Sequence, residues 1–202
     1  SNRTSWNRIA IGSAVLSDVP SVIKRLSELA GDGLLAGQCI EPLRENGQLV
    51  GLIIDGREIR AQRVILSAGS GNAELLTSLG LSQPTQQLRP LHMVLVKGPS
   101  LKPLYAHCLG GGPKPRVTIT THPAADGQWV WYLGGDLAEA DGVARDEASQ
   151  IKAAQKELSD LLPWVDLCAA QWATLRIDRA EPAQSGLVRP DNAFLHEQGS
   201  LL

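Results

Sequence analysis

The chain has 202 residues, 43% of them apolar and 20% charged, with a net charge of -2. This length supports a real hydrophobic core, as one large domain or two small ones. The charge balance excludes the basic footprint of a nucleic-acid binder and a polybasic membrane anchor, and no apolar run approaches the ~20 residues that cross a bilayer. Cys39, Cys108 and Cys168 are scattered, without metal-site spacing. They read as thiols in a reducing compartment, so a cytoplasmic location is expected and a disulfide framework or bound metal is not.

The first predicted element is a helix from Asp18 to Ala30. Asp18 suits the cap, Pro20 falls where its missing N–H costs nothing, and Val22, Ile23, Leu26, Leu29 and Ala30 recur at helical spacing. Short β segments follow at Leu34–Leu43, Leu49–Ile54 and Glu58–Ile59. Asn46-Gly47 and Asp55-Gly56 between them favour type I′ turns, so this stretch reads as a small antiparallel meander. Val64-Ile65-Leu66 is a continuous apolar run, expected as a strand buried on both faces. It runs into Ser67-Ala68-Gly69-Ser70-Gly71, after which Asn72 is expected to cap a helix over Ala73–Leu79, closed by Gly80.

Beyond Gln87 the pattern becomes mainly β, with strands predicted at Gln87–Val96, Leu104–Cys108, Arg116–Thr121 and Gln128–Gly134. A helix is predicted over Glu147–Leu162, stopped by Pro163, with Ile151, Ala154, Leu158 and Leu161 on one side. A strand over Ala169–Ile177, a polar loop over Asp178–Asp191 and a short strand at Asn192–Leu195 complete the reading.

Four stretches in this order carry a resemblance. Arg57-Glu58-Ile59-Arg60-Ala61-Gln62-Arg63-Val64-Ile65-Leu66-Ser67-Ala68-Gly69 is similar to "G-x-I-x-A-x-x-V-V-x-A-A-G". Glu74-Leu75-Leu76 through Leu79-Gly80-Leu81, with Leu88-Arg89-Pro90 following, is similar to "L-L-x-x-L-G" and then "R-P". Tyr132-Leu133-Gly134-Gly135-Asp136 is like "x-x-G-G-T". Trp172-Ala173-Thr174-Leu175-Arg176 is like "W-A-G-L-R-P", and Arg189-Pro190-Asp191 is like the "x-P-D" after it. Together they resemble the D-amino-acid oxidase superfamily of flavoproteins, which includes glycine oxidase, sarcosine oxidase and FAD-dependent glycerol-3-phosphate dehydrogenase.

The resemblance implies a mixed α/β (α+β) fold. Residues 1–86 would be a partial FAD-binding region with a β-meander. Residues 87–177 would be a mostly antiparallel substrate domain with a packed helix, and 178–202 a segment returning toward the first. It implies an enzyme, with FAD oxidising an amine, an amino acid, a hydroxy acid or a glycerol-phosphate-type substrate. The sequence contains no G-x-G-x-x-G, the motif that cradles a dinucleotide pyrophosphate. The chain therefore reads as an internal piece, inactive alone. The alternative is an inert ligand-binding or interaction domain that keeps the fold.

Site residues follow from the same resemblance. Arg176 would clamp an anionic small-molecule substrate through its planar fork; its alternative is an ion pair with Asp178 or Glu181. Arg179, three residues on along a strand, would face the other way and form a surface ion pair. His92 would serve as a general base or hydrogen-bond the substrate, with Tyr105 assisting and His107 orienting substrate; each has a packing role as its alternative. Ile40 would meet the adenine edge through its backbone. Ser67, Ala68 and Gly69 would pass close to the cofactor, where the lack of a side chain permits approach.

Overall fold

The structure is a computed structural model and describes residues 9–10, 19–110, 114–139, 141–183 and 195–197. It is mixed α/β, with strands β1 (Ile9–Ala10), β2 (Ile40–Glu45), β3 (Gln48–Ile54), β4 (Arg57–Arg60), β5 (Gln86–Lys97), β6 (Ala106–Leu109), β7 (Pro115–Pro123), β8 (Trp129–Gly134) and β9 (Gln171–Pro182). The helices are α1 (Val19–Ala30), α2 (Asn72–Ser78), α3 (Asp141–Ala144) and α4 (Glu147–Leu161). The chain divides into two compact units, one of Ser1–Ser13 and Arg89–Arg179, the other of Ala14–Leu88 and Ala180–Leu202. Two of the three divisions fall inside β5 and inside β9.

The first unit is built on a six-stranded sheet in the order β1-β6-β7-β8-β5-β9. Alternation along the strands sends every second side chain to one face. Val94 and Val96 of β5, Cys108 of β6, Val117 and Ile119 of β7, and Trp131 and Leu133 of β8 form a core with Ala154, Leu158 and Leu161 of α4. The β7–β8 pairing sets Thr120 opposite Tyr132, and the β6–β7 pairing sets His107 opposite Thr118. These residues therefore lie on the face opposite α4.

Asp146 caps α4, its carboxylate accepting from the Ser149 N–H at 2.7 Å. That bond holds the Asp146 carboxyl below its usual value of 3.8. A carboxyl depressed on folding adds stability above its unfolded value, which is lost as pH falls through the folded value. Asp146→Asn keeps a capping oxygen, so the variant is expected to lose less stability than the parent between pH 4 and pH 2, as read by thermal melts across that range.

The second unit contains the sheet β2-β3-β4, an antiparallel meander. Both predicted turns form: Asn46 and Gly47 take φ of 51° and 78°, Asp55 and Gly56 φ of 48° and 81°. Ala at position 47 would carry the left-handed cost of about 1–2 kcal/mol. Gly47→Ala is expected to lower the urea midpoint accordingly, with the slope unchanged. Val64, Leu76 and Leu79 form a small core with Leu49, Leu52 and Leu66 around them. α2 ends as predicted, with Gly80 at φ 70° and the Leu81 N–H donating to the Leu76 carbonyl at 2.8 Å.

Several expectations differ from the structure. Val64 is buried and makes a single β-bridge, but Val64–Leu66 is a strand of neither sheet, and Ile65 is 68% exposed rather than buried. An apolar run becomes a buried strand only where neighbouring strands take its backbone groups. Asn72 is the first helical residue of α2, and its side chain turns back to the preceding loop instead of capping. β9 extends through Pro182, across the start of the predicted polar loop. Asp18, the cap proposed for the first helix, lies outside the described residues, as do 192–194 of the predicted last strand; Leu195 is in no regular element.

Candidate functional site

Among the described residues, each unit carries a cavity. In the second unit a cavity of about 550 Å³ has mostly apolar walls, among them Ile65, Leu66, Leu76, Pro84 and Pro182. Polar groups interrupt these walls at Ser67, Asn72, Gln86, Glu181 and His196. Ser67 and Gly69 line it, and Ala68 lies between them in the same loop. Gly69 has φ 58°, which a side chain would strain. Ile40 is not among the lining residues; it is half-buried at the start of β2, opposite Ile54. Glu181, predicted as a partner for Arg176, is buried and accepts from the Gln87 side chain at 2.9 Å.

The first unit holds a smaller, charged cavity of about 330 Å³. Lys114, Arg116 and Arg145 line it with Asp136, Glu139, Asp141 and Glu157. Glu139 is its electrostatic hub. Lys114 lies 2.6 Å from one Glu139 oxygen, Arg89 of β5 lies 3.8 Å from the same oxygen, and Arg179 of β9 lies 3.7 Å from the other. One lysine and two arginines thus gather around a single carboxylate in a partly buried setting.

Two residues expected at the substrate make hydrogen bonds to backbone carbonyls of the first unit. Arg176 has the strand parity of Trp172, which packs on the α4 side of the sheet. Its two terminal nitrogens donate to the carbonyls of Val143 and Arg145 at 2.8 and 2.6 Å. The guanidinium thus holds the end of α3. His92 is 1% exposed, on the same side, and its Nδ1 donates to the Gly142 carbonyl at 2.9 Å.

Gln150, fully buried on α4, completes this knot by donating to the carbonyls of His92 and Leu137 at 2.7 and 2.8 Å and accepting from Arg145 at 3.1 Å. Periodicity did not single out Gln150, because a polar residue beside an apolar stripe reads as solvent-facing. Nor did it identify Arg89, Lys114 and Glu139 as a cluster, because they are far apart in sequence.

The remaining candidates lie on or beside the sheet face opposite α4. His107 is exposed there. The Tyr105 hydroxyl donates to the Thr121 carbonyl at 3.0 Å, which fixes the ring just before β6. The His122 and Tyr132 rings meet edge to face at 6.1 Å, and burial raises the Tyr132 phenol above its ordinary value. Among the described residues, no group of three or more His, Cys, Asp or Glu side chains is arranged to hold a metal, and no helix is long and apolar enough to cross a membrane.

No protein-family profile matches the chain. It is 72% identical over 188 residues to a Pseudomonas aeruginosa protein named "Probable FAD-dependent oxidoreductase PA4991", an alignment covering 93% of this chain and 48% of the other. The crystal structure of the FAD dependent oxidoreductase PA4991 from the same organism superposes with a TM-score of 0.85 at 73% identity, covering 91% of this chain and 51% of that one. The chain thus spans about half the length of the curated relative it matches, and its mixed α/β fold is that of the matching part of the crystal structure.

Proposed function

We propose that this chain is part of an FAD-dependent oxidoreductase of the D-amino-acid oxidase type, acting on a small substrate with an anionic group. The observation that carries the reading is 72% identity, over 93% of the chain, to a protein named as a probable FAD-dependent oxidoreductase. FAD, when bound, would supply the redox chemistry of removing a hydride from a C–N or C–O carbon.

The second unit's cavity suits an apolar ring system, with Ile65, Leu66 and Leu76 as walls and the Ser67–Gly69 backbone at its edge. Its volume is too small for a whole dinucleotide, and the sequence has no G-x-G-x-x-G for the pyrophosphate. These residues would hold one portion of the cofactor, with the rest of a longer polypeptide holding the remainder. Ile40 keeps its proposed backbone contact to the adenine edge.

Arg89, Lys114 and Arg179 would receive the substrate's anionic group, taking the role first given to Arg176. Arg176 and His92 would hold the α3 segment in place. Tyr105 and His107 keep their proposed substrate-facing roles. The free thiols Cys39, Cys108 and Cys168 fit a reducing cytoplasmic setting.

The test is the visible spectrum of the complete polypeptide, purified without added cofactor and then mixed with FAD. A flavin spectrum is expected, bleached anaerobically by an anionic amine, amino acid or hydroxy acid. A colourless protein that takes up no FAD would overturn the reading in favour of an inert binding domain.

A further inference from the structure

The loop Leu66–Gly71 reaches the cavity of the second unit from an exposed position, between the single β-bridge at Val64 and the start of α2. Exposed loops of this kind are ordinarily mobile. Here two side chains from separate elements brace it. Asn72, at the start of α2, spans the loop base: its Oδ1 accepts from the Ala68 N–H at 2.7 Å and its Nδ2 donates to the Leu66 carbonyl at 3.3 Å. Gln86, at the start of β5, donates from Nε2 to the Gly69 carbonyl at 2.8 Å. The Gly71 N–H closes the turn onto the Ala68 carbonyl at 3.1 Å. Both braces also line the cavity.

We infer that Asn72 and Gln86 are positioning residues that hold the Ser67–Gly69 backbone in the shape its ligand needs. The inference rests on the reading that this cavity takes part of FAD. Three hydrogen bonds with two side chains fix backbone groups before Gly69 and the carbonyl of Gly69 itself, whose positive φ makes it the natural hinge of the loop. A loop ordered before binding does not have to be ordered by the ligand, which strengthens binding without adding a contact.

The experiment measures FAD affinity of the complete polypeptide by flavin fluorescence, alongside the melting temperature of each apoprotein. Asn72→Ala and Gln86→Ala are each expected to weaken FAD binding about 10-fold or more, the scale seen when outer-shell partners of a bound group are lost. Apoprotein melting should move little, because the braced loop is exposed. Asn72→Asp keeps the acceptor for the Ala68 N–H and should recover part of the affinity. Gln86→Glu replaces the donor with an acceptor and should match Gln86→Ala.

Unchanged affinity in the Ala variants, with a parent that binds FAD, would overturn the positioning role and leave the flavin reading standing. Affinity losses that merely track lower apoprotein melting, with no partial rescue by Asn72→Asp, would overturn it as well. A parent that binds no FAD would remove both.

Discussion

Gln150→Met is expected to destabilise the protein by about 2–4 kcal/mol, since a side chain of similar size replaces one that serves buried carbonyls. For a chain of this length that corresponds to a drop in Tm of roughly 5–15 °C. Gln150 is fully buried, and its amide donates to two carbonyls from different parts of the fold, His92 on β5 and Leu137 in the turn after β8. Its oxygen receives Arg145, whose own carbonyl receives Arg176. Removing the amide takes away two buried donors at once, and water cannot replace them without opening the packing of α4 against the sheet. Gln150→Glu tests the chemistry separately. It keeps the acceptor for Arg145 but loses the donors, so it should be no more stable than Gln150→Met at neutral pH. A melting temperature within a degree or two of the parent for both variants would show that the knot carries no stability.

The second large effect separates the two arginines of β9 in the complete polypeptide. Arg179→Met is expected to raise KM for an anionic substrate about 10- to 100-fold, the loss that follows removal of one charge-assisted hydrogen bond. Arg176→Met is expected to leave KM near the parent value and lower the melting temperature instead, because its guanidinium binds the carbonyls of Val143 and Arg145. Arg89→Met should resemble Arg179→Met, since both arginines approach Glu139. A KM that responds to Arg176 alone would return the carboxylate clamp to that residue and detach the cluster around Glu139 from substrate binding.

Much of the local structure was legible in the sequence. The apolar spacing of Ala154, Leu158 and Leu161 specified α4 and its buried side, because a helix repeats every 3.6 residues whatever it packs against. Asn46-Gly47 and Asp55-Gly56 specified the meander, because the two-residue turns that match strand twist require positive φ. The motif order pointed to the fold of the flavoprotein crystal structure that the chain matches over 91% of its length.

Tertiary structure decided what each polar side chain does. Arg176 and Arg179 stand three apart on one strand, so the sequence by itself placed them on opposite faces without saying which face carries α4. Packing of Trp172 against the α4 core settled that, and turned Arg176 toward backbone carbonyls. His92 read either as a general base or as a packed strand histidine, and the fold sets the Gly142 carbonyl, 50 residues away, beside its buried imidazole. The apolar stripe of α1 was equally plain in the sequence, but Val22, Ile23, Leu26 and Leu29 remain exposed. Periodicity states that a face is apolar; only the packing of other segments against it determines whether it is buried.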